Sequence, residues 1–184
     1  MNGAPPGLFD QLWFYFLYLF VDALLFPLAS TVYVAYMGQK HAPILVAVLG
    51  ALGTAGGSVV QYLGVRALLR RSDRLPGWLR RWKERIEATV QTSSHATFWA
   101  LFVIYATPLG AGPLRLIAAA GGYSLWRFAL AIGLGCLPYY FALAWFGHAV
   151  KLPTWVYVAA ALAILGLGLA QWLSRRARPK EPHP

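Results

Sequence analysis

The feature that most constrains this chain is an apolar stretch, 98–123, that is interrupted near its middle. Proline removes a backbone donor and clashes with the preceding helical turn, so a helix cannot pass through intact. Arg115 follows the break and brings a full charge into apolar surroundings. In a bilayer, broken backbone is tolerated only where protein covers it or water reaches it, and a charge there indicates a functional site. The hairpin-breaking residues are Pro27 in an earlier apolar stretch and, in this one, Pro108, Gly110, Gly112 and Pro113.

The composition indicates an all-α membrane protein. Of 184 residues, 59% are hydrophobic and only 12% are charged, whereas soluble domains carry about 25% charged residues. The net charge of +10 is concentrated beside apolar segments, with eight of the 16 basic residues in 66–85 and four in 175–180. This distribution is the positive-inside signal of a membrane protein and argues against a nucleic-acid partner. With one cysteine, six acidic residues and none of the familiar catalytic or metal-binding motifs, we expect no enzyme activity, cofactor or metal.

The apolar and basic stretches divide a single membrane domain, 1–184, into segments. Full transmembrane helices need about 20 apolar residues, which three of the segments provide. In chain order we predict a first re-entrant hairpin (8–43), a transmembrane helix (44–66), a basic cytoplasmic loop with an amphipathic helix (67–91), a second re-entrant hairpin (92–123), two transmembrane helices (124–150 and 154–173) and a basic tail (174–184).

The charge distribution also predicts the topology. With both basic clusters in the cytoplasm, the C-terminus is cytoplasmic and segment 92–123 begins and ends on the same side. The same reasoning makes 8–43 a hairpin from the opposite side, with a plain crossing as the alternative. An internal repeat supports the two hairpins: Gly50 and Gly64 recur 83 positions later as Gly133 and Gly147, and Pro27 recurs 81 positions later as Pro108. Inverted repeats with broken helices are a transporter arrangement.

Two charges inside the predicted hairpins are the candidate site. Asp22 lies in the first and Arg115 in the second, and each needs a partner or water in a bilayer. They line a polar path for a lipid headgroup, or they form a structural ion pair, and the two interpretations are compatible. Interfacial contacts with anionic lipid are expected from Arg66, Arg80, Arg81 and Arg127.

The residues from about 20 to 149 resemble the DedA family, which shares the SNARE-associated or VTT domain. The resemblance rests on Asp22 with Pro27, on LGALGTAGGSVVQYLGVRALLR, on Tyr105-Ala-Thr-Pro-Leu-Gly, on AAAGGYSLWRF and on GLGCLPYYFALAWFG. It implies two opposed re-entrant hairpins and movement of undecaprenyl phosphate or phospholipid between leaflets of the bacterial inner membrane. Many members have an arginine where this chain has Tyr105, and a second where it has Ala111. These differences favour passive scrambling over strict proton coupling.

The sequence thus predicts an all-α polytopic membrane protein with two opposed hairpins and about three full transmembrane helices. We expect it to act as a lipid transporter or scramblase, with Arg115 binding the headgroup phosphate and Asp22 balancing or gating it. The alternative functions are a proton- or ion-coupled transporter of a small solute and a scaffold without transport. Proton coupling and homo-oligomer formation stay open.

Overall fold

The structure is a computed structural model that describes residues 7–25, 30–70, 90, 93–107, 112–163 and 166. The fold is all-α, as the sequence predicts. Two stretches of helix, Pro43–Leu69 and Leu125–Val150, are long and apolar enough to cross a bilayer. Within the described residues the helices are α1 (Leu8–Leu25), α2 (Ser30–Lys40), α3 (Pro43–Arg70), α4 (Ser94–Ala106), α5 (Gly112–Ala120), α6 (Leu125–Val150) and α7 (Thr154–Ala163).

Several predicted features lie outside the described residues. They include most of the basic loop, the second part of the predicted span 154–173, and the basic tail. The individual residues concerned are Pro27, Arg80, Arg81, Pro108 and Gly110.

Helix α1 runs parallel to α3 and stops before α3 does. The contacting residues keep a constant offset of 37 positions, as expected for parallel helices, in the pairs Phe16 with Gly53, Phe20 with Gly57, and Leu24 with Gln61. Because α1 ends at Leu25, the last eight residues of α3, to Arg70, extend about 12 Å beyond it. The end of α1 is therefore inside the bundle.

Helices α4 and α6 repeat this relation in the second half of the chain. Ser94 contacts Arg127 and Phe102 contacts Gly135, each pair 33 positions apart, so these helices are also parallel. Helix α4 ends at Ala106, beside the middle of α6, which continues for about another 16 Å. Both halves therefore pair a short helix with the start of a longer one.

The two long helices join the halves. Helix α3 is antiparallel to α6, because Thr54 contacts Tyr140 while Tyr62 contacts Phe128. The second helix of each half packs on the long helix of the other half, α2 on α6 and α5 on α3. The pattern is what two inverted repeats require. The number of full crossings and the placement of the short helices in a bilayer stay predictions.

These directions give the bundle two distinct ends. We term one of them the Lys40 end. It is where α1 and α3 begin and where α2 and α6 end, and there Gln39 Nε2 donates to the Leu152 carbonyl at 3.0 Å. We term the other the Arg127 end, where α3 ends and α4 and α6 begin, and there Arg127 donates to Ser94 Oγ at 3.0 Å. The α1–α2 pair thus begins and ends at one end of the bundle, and the α4–α5 pair at the other.

The glycine pairs used to predict the repeat are not structurally equivalent. A side chain at Gly64 would meet nothing within 4 Å, whereas at Gly147 it would collide with the backbone of Ala35. The glycines whose contacts do correspond are Gly53, against the Phe16 carbonyl, and Gly135, against the Phe102 carbonyl. Helix pairing therefore supports the repeat, and the 83-residue glycine spacing does not.

Small residues allow α2 and α6 to pack closely. Ala35 and Gly38 on α2 interlock with Ala144 and Gly147 on α6, so that each glycine lies against the backbone of the alanine opposite. All four residues are buried. Close backbone approach through small residues is a usual source of helix association in membranes.

We predict that Gly147→Ala destabilises the protein, whereas Gly64→Ala does not. The added methyl group at 147 meets rigid backbone, and overpacking of this kind costs about 1–3 kcal/mol. The methyl group at 64 enters open space. Thermal unfolding of the detergent-solubilised variants would compare them, and equal melting temperatures would contradict the close α2–α6 contact.

Candidate functional site at the buried end of helix α1

Arg115 is the most deeply buried charge in the part of the chain that the structure describes. It lies on α5 and is only 3% exposed. Its Nη1 donates to the Ala23 carbonyl at 2.9 Å and to Ser58 Oγ at 3.3 Å. Arg115 therefore joins α5 to both α1 and α3.

The position of Ala23 explains how a cation can be held there. The last four carbonyls of a helix have no intrahelical partner, and the helix dipole places partial negative charge on them. Ala23 lies in the last turn of α1, and the next carbonyl, that of Leu24, accepts from Gln61 Nε2 at 3.4 Å. The guanidinium and this helix end therefore compensate each other away from water.

The end of α4 reaches the same place through Tyr105, the residue before its last. The Tyr105 hydroxyl lies beside Ser58 and Arg115 but has no hydrogen bond of acceptable geometry to either. Its Cβ packs against Gly135. The ends of two short helices, which enter the bundle from opposite ends, thus converge on one arginine.

Two donors at this site have no hydrogen-bond partner among the described residues. They are Nε of Arg115 and the hydroxyl of Tyr105, and both atoms are buried. More than 90% of buried polar groups in native proteins are hydrogen-bonded to protein or water, and leaving one unpaired costs about 1–3 kcal/mol. Each of these groups could be satisfied by water or by an oxygen of an anionic ligand, so the site is suited to either.

Asp22 and Arg115, predicted as partners in one site, do converge on the same turn of α1. Arg115 binds the backbone of the residue that directly follows Asp22. Asp22 is partly buried and lies one helical turn after Tyr18. Arg115 is thus anchored by the backbone next to Asp22, while the predicted role of the Asp22 carboxylate stays a prediction.

The other predicted residues lie away from this site. Gly112 begins α5 and Pro113 is exposed in its first turn. Arg66 donates to Tyr62 Oη at 3.2 Å and lies over that ring, while Arg127 is exposed. Both arginines are near the Arg127 end, and their contact with lipid stays a prediction. Among the described residues no three His, Cys, Asp or Glu side chains group as metal ligands.

Sequence reasoning missed three residues of the site, Ser58, Gln61 and Tyr105. Ser58 and Gln61 lie within the glycine-rich stretch that carries the family resemblance, and Tyr105 stands there only as a difference from a family arginine. A usable signal was available, since Ser58 and Gln61 are polar and lie three positions apart on an apolar helix. Such spacing places them on one face.

The comparison with protein families agrees with this architecture. The fold and site define an all-helical membrane protein with a polar centre. The family model for the VTT domain matches residues 26–149. The chain belongs to this family, the DedA or SNARE-associated group of membrane proteins. Neither the curated proteins nor the solved structures gave a match.

We predict that Arg115→Leu loosens the end of α1. The change leaves the Ala23 carbonyl without its charged donor, and hydrogen bonds to charged groups contribute about 1.5–3 kcal/mol. Amide hydrogen exchange should accelerate in the last turn of α1, and the melting temperature should fall. Arg127→Leu, which removes an exposed arginine, is the control and should change neither. Unaltered exchange in Arg115→Leu would show that the bond does not hold this helix end.

We also predict a pH dependence from His41, which lies between α2 and α3. Burial, and then the neighbouring charge of Lys40, lower the pKa of His41 below its ordinary value of 6.5. The folded protein thus binds fewer protons than the unfolded chain, so this contribution is complete above about pH 6.5 and is lost as pH falls through the lowered pKa.

In His41→Gln, the melting temperature should fall less steeply than in the wild type between about pH 7 and about pH 5. The effect is small because His41 is partly exposed. Identical slopes for the two proteins would contradict this prediction.

Proposed function

We propose that this protein moves phospholipid or polyprenyl-phosphate headgroups across the bilayer, through a polar crevice where the two hairpins meet. The acyl tails would stay in the surrounding lipid. The observation that supports this proposal most directly is the environment of Arg115. This buried cation is held at the end of α1, and its Nε has no hydrogen-bond partner among the described residues. Membership of the VTT-domain family, a group of transporter-type membrane proteins, supports the same class of function.

The depth of the site supports a route across the membrane. Ser58, which Arg115 contacts, lies near the middle of α3, about 20 Å from either helix end. A phosphate there would accept from Arg115 Nε and from the Tyr105 hydroxyl. Charge-assisted hydrogen bonds of this kind are about twice as strong as neutral ones. Asp22, next to Ala23 on α1, would balance the charge or gate the path.

The remaining basic residues would act at the mouth of the path. Arg66 and Arg127 lie near one end of the bundle, next in sequence to the basic loop. Each basic residue near an anionic leaflet contributes about 1 kcal/mol of attraction. We place this end in the cytoplasm of a bacterial inner membrane, with the C-terminus on the same side, because both basic clusters then obey the positive-inside rule.

The alternative, an ion-coupled transporter of a small solute, uses the same hairpins. In such transporters the C-terminal ends of broken helices coordinate the coupling cation. In this chain the Arg115 guanidinium already lies at the end of α1. This observation favours an anionic substrate group over a coupling cation at that position.

The test is a fluorescent-lipid accessibility assay in proteoliposomes, with and without a pH gradient. Tyr105→Phe removes one unpaired donor, and with it one hydrogen bond to the charged phosphate. Lipid movement should therefore slow about tenfold. Tyr139→Phe is the control, since its hydroxyl bonds Thr31 elsewhere. Asp22→Asn should slow movement and alter any dependence on the gradient.

Two outcomes would overturn the proposal. One is a wild-type protein that matches empty liposomes for phosphatidylethanolamine, phosphatidylglycerol and a polyprenyl phosphate, in which case small solutes would be tested next. The other is full activity in folded Tyr105→Phe and Asp22→Asn, which would exclude this site as the path.

A further inference from the structure

A second feature lies near the Lys40 end, and neither Asp22 nor Arg115 lines it. It is a groove of about 360 Å³ between α1, α2 and α7. Four of the side chains that line it are tyrosines, Tyr18, Tyr33, Tyr36 and Tyr157, and we term it the tyrosine groove. Its volume is within the range of small-ligand sites.

The four rings form a continuous aromatic wall. The ring centroids are 4.7 Å apart for Tyr18 and Tyr33, 6.3 Å for Tyr33 and Tyr36, and 5.6 Å for Tyr36 and Tyr157. The face of an aromatic ring carries negative potential. Several rings around one space are the usual means of binding an ammonium group, and quaternary ammonium ligands above all.

A lysine of the chain itself shows how these rings act on an ammonium group. Lys40 Nζ lies 4.5 Å from the centroid of the Tyr36 ring, so one of these rings already attracts an ammonium group. Asp22 lies one helical turn after Tyr18, on the same face of α1. Four aromatic rings and a carboxylate one turn away favour a cation.

The depth of the groove suits a lipid headgroup. Tyr36 is one turn before Lys40, at the end of α2, and Thr154, which also lines the groove, is the first residue of α7. The groove therefore begins at the end of the bundle, where tyrosine is enriched at membrane–water interfaces. Helix α7 continues along it for two turns.

We propose that the tyrosine groove binds the ammonium group of a zwitterionic phospholipid. The inference names a headgroup class and in that respect rests on the proposed function. Helix α1 links the two places, because Asp22 lies one turn after Tyr18 and directly before Ala23, whose carbonyl holds Arg115. A zwitterionic lipid would present its amine to the groove before its phosphate reaches the arginine.

Binding is measured separately from transport, by native mass spectrometry of the full-length protein in detergent. The probes are phosphatidylcholine, phosphatidylethanolamine and phosphatidylglycerol with identical acyl chains, at equal concentration. The wild type should retain the two ammonium lipids in preference to phosphatidylglycerol. Tetramethylammonium chloride should displace phosphatidylcholine, whereas sodium chloride of the same ionic strength should not.

Variants test the ring faces. Tyr18→Leu with Tyr36→Leu should reduce the preference for ammonium lipids about tenfold, since two cation–π contacts are lost. Tyr18→Phe with Tyr36→Phe keeps the rings and should keep the preference. Trp145→Leu removes an aromatic ring that is 58% exposed on α6, outside the groove, and is the control.

Three results would overturn the inference. They are equal retention of all three lipids by the wild type, an equal loss of all three in the leucine variant, which would indicate an acyl chain in the groove, and no displacement by tetramethylammonium. The displacement measurement needs no variant and so holds if the leucine variant misfolds. Headgroup preference without lipid movement in proteoliposomes would support the groove while refuting the proposed function.

Discussion

The arrangement depends on how a helix can end inside an apolar bundle. The lipid of a bilayer offers no hydrogen-bond donors, so the last carbonyls of α1 need donors from the protein itself. Gln61 and Arg115 supply them, from two different helices. The same bonds stabilise the arginine, because a buried cation needs partial negative charge around it. The helix end and the buried charge thus stabilise each other, and their contact positions the rest of the site.

The helix end and the arginine come together because a helix of each half packs on the long helix of the other half. Helix α3 packs on α1 from its own half and on α5 from the other half, so it faces both the helix end and the arginine. Its glycines let α1 approach until Gly53 and Gly57 touch the carbonyls of Phe16 and Phe20. That close approach brings Ala23 within reach of a side chain on α5. Packing by small residues thus sets the geometry of the polar centre.

The class of fold and the choice of Asp22 and Arg115 as candidate site residues could be predicted from the sequence. A charge or a proline is unfavourable within an apolar helix, so its presence there indicates a site or a break. The sequence did not reveal what Arg115 binds. Its main partner is a backbone carbonyl, which every residue has, so no residue type marks it. The tyrosine groove was missed for a related reason. Tyr18, Tyr33 and Tyr157 are far apart in the chain, and only the folded bundle places their rings along one groove.

The identity of the cation follows from the number of donors that this site requires. A guanidinium carries five N–H donors in a rigid plane, whereas an ammonium carries three around a single point. In this structure Nη1 of Arg115 is engaged with α1 and α3, while Nε has no partner among the described residues. One side of the guanidinium can therefore hold the fold while another edge meets a ligand. Lysine could serve one of these roles, but its single nitrogen could not serve both in separate directions.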